Sequence, residues 1–226
     1  MIIFLRSLIF NILFYIWTFL ISFFSLPVLF FNRKVDVKVW FIWIKITNKI
    51  LKKVINLNYE IKGSENIKHN KVIYACQHQS AWDTIIIPYL IGDCVIFHKK
   101  SLLFIPLFGW HLYKLGMIVI TRNKGSNSLK KIISKAKAAV YEKRPILIFP
   151  HGTRTIPNTK NKIQSGIVIL YKHLNVKVVP VKLNSGKFWG RNSFLKYPGK
   201  ITVNFLKPID PGLNPGEFRK KLENML

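Results

Sequence analysis

The stretch Val72-Ile73-Tyr74-Ala75-Cys76-Gln77-His78-Gln79-Ser80-Ala81-Trp82-Asp83-Thr84 sets the fold class. Its first five residues form an apolar run of strand length. Ser80-x-x-Asp83 then reads as a capping box, with Ser80 as N-cap and Asp83 reaching back from N3, opening a helix into Ile85-Ile86-Ile87. The segment is therefore a strand that runs straight into a helix. The box accounts for Asp83 on structural grounds alone, but it accounts for neither His78 nor Trp82.

Outward from this corner, short apolar runs alternate with helical stretches. Strands are expected at Tyr59–Ile61, Val72–Cys76, Val95–Phe97, Met117–Ile120, Ile146–Phe149, Val176–Leu183 and Ile201–Phe205. Leu129, Ile132, Ile133, Ala136 and Val140 recur at helical spacing within Ser126–Glu142, and Gln164–His173 has a helical pattern too. Strands alternating with helices predict an α/β fold: a mostly parallel central sheet flanked by helices, with functional groups in the loops after strand ends.

The N-terminal part is of another kind. Ser7 to Phe31 is a run of 25 residues without a charge, preceded by Arg6 and followed by Arg33 and Lys34. Its length suits a membrane span; Pro27 could instead bend it into a shallow hairpin within one leaflet. No small-residue cleavage site marks it as a signal peptide. From Val35 to Leu57, helical projection puts Lys38, Lys45, Lys49, Lys52, Lys53 and Asn56 on one face. Trp40, Trp43, Ile44, Ile50, Leu51, Val54 and Ile55 fall on the other, and Ile42 breaks the pattern. A lysine stripe opposite a tryptophan-rich face predicts a helix lying in the membrane surface; the competing reading is an amphipathic helix docked on the domain core. Residues 1–57 are thus expected to be membrane-anchoring helices and 58–226 the α/β domain. Flanking basic residues keep the domain on the cytoplasmic side, where Cys76 and Cys94 stay reduced.

The net charge of +27 implies an anionic partner or substrate. It is carried by 29 Lys and 7 Arg, so lysine is the default cation and each arginine is the more informative. Two arginines end strands: Arg122 after Met117–Thr121, and Arg154 in Phe149-Pro150-His151-Gly152-Thr153-Arg154. Guanidinium forks bind phosphate bidentately, which lysine does poorly. At the first corner, His78 can act as general base once Asp83 folds back to its Nδ1–H and fixes the tautomer. A base beside phosphate-directed arginines points to a substrate with both a hydroxyl and a phosphate. Cys76 offers a covalent route on paper, but a small buried residue on a core strand is the plainer reading. No metal-ligand spacing and no nucleophile elbow occur, and His69, His98, His111 and His173 are scattered.

In order and spacing these residues resemble the glycerolipid acyltransferase family, specifically bacterial lysophosphatidate acyltransferases. His78-x₄-Asp83 looks like its first motif, Phe108-Gly109 through Gly116 to Arg122 its second, Phe149–Arg154 its third and Val179-Pro180-Val181 its fourth. The resemblance spans about Asn58 to Pro208 and implies a mechanism. His78 deprotonates the free glycerol hydroxyl, Asp83 orients His78, Arg122 and Arg154 hold the phosphate, Gly152 and Thr153 shape the turn, and Lys100 assists. It also implies acyl-CoA or acyl carrier protein as donor, no cofactor, and a bacterial inner-membrane location. His151 departs from the family's usual glutamate, and Gln77 from its frequent asparagine. The alternatives are acylation of another acceptor, such as glycerol 3-phosphate, or a non-catalytic basic membrane protein. Aromatic residues concentrate in the N-terminal apolar segments, which favours lipid over nucleic acid as the partner.

Overall fold

Val72–Cys76 is buried on both faces, as the middle of a parallel sheet requires. A computed structural model describes the chain apart from His69, residues 121–125, Asn158 and Lys160, and apart from the side chains of residues 126–128. Among the described residues the strands are β1 Leu57–Lys62, β2 Val72–Cys76, β3 Val95–Lys99, β4 Ile118–Ile120, β5 Ile146–Ile148, β6 Lys177–Leu183 and β7 Gly199–Phe205. They form one sheet in the order β1-β7-β6-β2-β5-β3-β4. Every neighbouring pair is parallel except β6 with β7. The strands expected from the sequence are all present, with shifted ends.

Side-chain alternation splits β2 between two apolar layers. Tyr74 and Cys76 point into one layer, with Trp82, Ile86 and Ile87 of α3 (Ala81–Ile91). Ile73 and Ala75 point into the other, against α5 (Ser126–Tyr141), α6 (Ser165–Leu174) and α7 (Pro215–Met225). α3 carries the chain from β2 over β5 to β3, whereas α6 carries it from β5 back over β2 to β6. Neighbouring strands whose crossovers leave in opposite directions open a crevice at their C-terminal ends, where α/β sheets place ligands. Here those ends deliver His78 and the 149–154 turn.

The N-terminal helices form a hairpin. α1 (Ile2–Phe24) and α2 (Arg33–Ile50) are joined by a 3₁₀ turn, Leu26–Phe30, with Pro27 in its first turn, and a π turn, Leu51–Ile55, extends α2. Asn32 caps α2 by accepting from the Lys34 amide at 2.9 Å. Trp17 Nε1 donates to the Trp43 carbonyl at 3.3 Å, and Trp43 Nε1 to Thr18 Oγ1 at 3.0 Å. The expectation of a surface-lying α2 with its tryptophan face in lipid is corrected: Trp40, Trp43, Ile44, Leu51 and Ile55 are buried in the same apolar layer as Tyr74 and Trp82. Burial of that face inside the protein removes it from lipid. Ile42, which breaks the stripe, is 50% exposed.

α1 is held at both ends. Near its start, Ser7 Oγ accepts from the Lys196 amide at 2.9 Å, and Asn11 Oδ1 from Lys196 Nζ at 2.7 Å. The Lys196 ammonium also sits 5.0 Å from the Trp189 ring centroid, and burial pulls its pKa down to about 8. Beyond its far end stands α4 (Phe108–Lys114), whose first turn is so close to Leu103 that a Cβ on Gly109 would strike the Leu103 carbonyl. From α4, His111 Nδ1 donates to Asp36 Oδ1 at 2.6 Å, and Nε2 lies 3.1 Å from Ser25 Oγ. The Ser25 hydroxyl already donates to the Ile21 carbonyl, so it accepts here and both imidazole nitrogens carry protons. Burial, the largest single influence, pulls the His111 pKa down, but the hydrogen bond and charge of Asp36 together raise it above its ordinary value.

Two outcomes follow from this packing. Ile44→Ala should lower the stability of the whole protein by about 2–5 kcal/mol, whereas Ile42→Ala should change it by no more than ~0.5 kcal/mol, in denaturant melts in detergent. His111, with a raised pKa, stabilises fully below its unfolded pKa and loses that contribution as pH rises through the folded value. The stability gap between wild type and His111→Gln should therefore be largest at pH 6 and shrink towards pH 9.

Candidate active site

The site is built on one buried carboxylate. Ser80 has extended backbone and its hydroxyl accepts from the Trp82 amide at 3.1 Å, so α3 begins immediately after the β2 corner. Asp83 folds back from the first turn and is wholly buried. Its Oδ2 accepts from the Gln79 amide at 2.7 Å, the Ser80 amide at 2.8 Å and His78 Nδ1 at 3.1 Å. Its Oδ1 accepts from Ser185 Oγ at 2.5 Å. Capping and orientation of the imidazole are thus the work of one side chain. Trp82, 1% exposed and edge-on to Tyr59, is the core anchor that holds this first turn against the sheet.

His78 is fixed on three sides. Asp83 holds Nδ1, which leaves the lone pair on Nε2. The ring stacks on Phe149 with centroids 4.2 Å apart and an interplanar angle of 25°. The His78 carbonyl accepts from the Thr155 amide at 2.7 Å, which ties this corner to the turn after β5. The imidazole keeps 14% exposure, so its free nitrogen is the part that can meet a substrate.

In the turn after β5, Gly152 adopts φ +70°, a left-handed conformation that a side chain rarely tolerates, and its amide donates to the Phe149 carbonyl at 3.0 Å. This reversal presents exposed Thr153 and half-buried Arg154. Arg154 has no carboxylate within ion-pair distance among the described residues. Burial pulls its pKa down, the nearby Asp83 charge opposes that, and Arg191 adds to it. A guanidinium remains charged nonetheless. A half-buried cation with no counterion, close enough to Asp83 to feel its charge, has the chemistry to bind an anion.

The other expected residues fall elsewhere. His151 lies beside the Asn161 backbone and Glu223; its Nδ1 is buried without a partner, and burial lowers its pKa. Lys100 is exposed at the start of the 3₁₀ turn after β3, with Nζ 5.8 Å from the Phe104 ring centroid. Arg122 lies outside the described residues. Cys76 is fully buried, and burial raises its thiol pKa well above the ordinary value, so it is no nucleophile. Sequence reasoning missed Ser185 and Arg191, which follow β6. Their only signal was proximity to the Val179-Pro180-Val181 motif and, for Arg191, the scarcity of arginine.

A family model described as acyltransferase matches residues 58–184. The chain is 30% identical over 183 residues to a 1-acyl-sn-glycerol-3-phosphate acyltransferase of Pseudomonas aeruginosa, covering 81% of this chain and 71% of that protein. A coconut (Cocos nucifera) enzyme of the same description is 30% identical over 167 residues, covering 73% of this chain, which spans only 54% of the plant protein. The fold superposes on the crystal structure of the lysophosphatidate acyltransferase PlsC from Thermotoga maritima with a TM-score of 0.77, at 21% identity, over 98% of this chain and 94% of that one. With His78, Asp83 and Arg154 gathered at the C-terminal edge of the sheet and the acyltransferase match running through all three, this chain belongs to the acyltransferase family.

Proposed function

We propose that this protein transfers an acyl chain from a thioester to the sn-2 hydroxyl of 1-acyl-glycerol 3-phosphate, forming phosphatidic acid for phospholipid biosynthesis. The observation that carries the reading is the His78 Nδ1 to Asp83 Oδ2 contact of 3.1 Å beside the half-buried, counterion-free Arg154. A general base and an anion site lie within reach of one small polar headgroup. The relatives named above supply the acceptor class.

In this reading, His78 Nε2 takes the hydroxyl proton as the glycerol oxygen attacks the thioester carbonyl. Asp83 stabilises the imidazolium that forms. The tetrahedral intermediate collapses with cleavage of the carbon–sulfur bond, and the imidazolium returns its proton to the leaving thiolate. Arg154 holds the phosphate, and Arg122 joins it on the strength of the sequence resemblance. Gly152 and Thr153 shape the turn that presents Arg154. Lys100 and His151 complete the substrate-binding set as more distant members. The thioester is carried by coenzyme A or by acyl carrier protein, both acidic partners suited to a chain of net charge +27.

The acceptor is a membrane lipid, and the N-terminal hairpin suits it. α1 is long and apolar enough to cross a membrane by length and composition. Its inner face is docked on the protein, while Phe4, Ile12, Tyr15, Phe19 and Phe24 on its outer face are exposed. Phe30, Phe31, Trp110 and Tyr113 are exposed as well. We read this as a helix that lies in one leaflet, with the enzyme on the cytoplasmic side of a bacterial inner membrane.

Thiol release should depend on added lysophosphatidate and should be absent with glycerol 3-phosphate or lysophosphatidylcholine; release driven by another acceptor would redirect the substrate assignment. His78→Ala and Asp83→Asn should each lower kcat by about 10²–10⁴-fold in a folded protein. Arg154→Ala should chiefly raise the KM for lysophosphatidate. Wild-type turnover by His78→Ala would remove the catalytic assignment.

A further inference from the structure

We propose that Ser185, 102 residues from Asp83 in sequence, is a positioning residue for the catalytic pair. The inference rests on the His78–Asp83 site proposed above. Ser185 is wholly buried, and its hydroxyl donates to Asp83 Oδ1 at 2.5 Å, the shortest of the described contacts to that carboxylate. The other three donors all converge on Oδ2. Ser185 is thus the one partner of the opposite oxygen among the described residues. Without it, a fully buried anionic oxygen has no donor, and the carboxylate plane is free to turn about its Cβ–Cγ bond. The capping amides would survive that rotation better than the bond to His78 Nδ1, because an imidazole carried on the preceding loop needs a fixed direction.

The hydroxyl is itself held in place. Ser185 opens a 3₁₀ turn, Ser185–Lys187, whose Gly186 amide donates to Gln79 Oε1 at 3.2 Å. A Cβ on Gly186 would come within 3.0 Å of the Gln79 side chain and 2.9 Å of Pro157, so the turn is pressed between the β2 corner and the loop after β5. Downstream, Lys196 pins the same segment to α1 through Ser7 and Asn11. The chain after β6 therefore acts as a wedge that delivers one hydroxyl to Asp83.

One consequence separates positioning from simple packing: the loss of Ser185 slows the proton-transfer step while substrate contacts stay intact.

Ser185→Ala, compared with wild type in detergent, should keep its circular dichroism spectrum and lower kcat about 10–100-fold. KM for lysophosphatidate and for the thioester should stay within about twofold. Ser185→Cys, which keeps a weak donor, should fall between the two, and it carries the test if the alanine variant does not fold. A folded Ser185→Ala with wild-type kcat overturns the positioning role while His78→Ala remains inactive. If His78→Ala is active, the underlying site assignment fails instead.

Discussion

A carboxylate with no exposure to water must find its hydrogen bonds inside the protein, and this requirement at Asp83 organises the surrounding structure. Two of its donors are backbone amides of the corner that follows β2, so the chain cannot leave the strand in any other direction. One donor is the imidazole of His78, and the last is a hydroxyl from the far side of the sequence. The acid that caps α3 is also the acid that holds the His78 imidazole. A helix cap made by an exposed residue would be worth a modest amount. Here burial makes the same contacts obligatory, which turns a local motif into a long-range constraint on where the segment after β6 can run.

The second constraint is topological. β2 and β5 are adjacent and parallel, and their crossovers depart to opposite sides through α3 and α6. The loops at their C-terminal ends therefore diverge and leave a crevice between them. Thr155 bridges it by donating to the His78 carbonyl, and Phe149 supports the imidazole from beneath. His78 and Arg154 are thus delivered by neighbouring strands of a rigid sheet, and their spacing does not depend on the conformation of a long loop.

Much of this was legible in the sequence, and the omissions have physical causes. The strands were readable because central parallel strands are continuous apolar runs, and their ends moved because ladder hydrogen bonds, which periodicity does not encode, decide where pairing stops. That His78, Asp83 and Arg154 lie near one another was readable because each follows the end of a central strand. The amphipathic character of Val35–Leu57 was readable too, but periodicity reports only that one face is apolar. Lipid and protein core make the same demand of that face, and the structure turned Trp40, Trp43 and Ile44 inward. Ser185 and Arg191 were out of reach because only the order of β6 beside β2 brings them to the corner. The pairing of His111 with Asp36 joins α4 to α2 in the same way, across 75 residues that share no local pattern.

The hairpin's double role sets a limit on how this enzyme could be simplified. The inner surface of α1 and α2 is continuous with the apolar layer beneath the sheet: Phe10 and Ile44 are fully buried there beside Tyr74 and Phe205. The outer surface of α1 is apolar and exposed along its length. An anchor that merely tethered a finished domain could be cut away to give a soluble enzyme. Here the cut would strip Phe10, Trp40, Trp43 and Ile44 from the layer that holds Tyr74 and Trp82, exchanging one apolar surface for another and removing the partners of Lys196 and His111. Lys196 in turn holds the segment that carries Ser185 to Asp83. The proposed membrane-facing helix and the proposed catalytic pair therefore draw on the same packed layer.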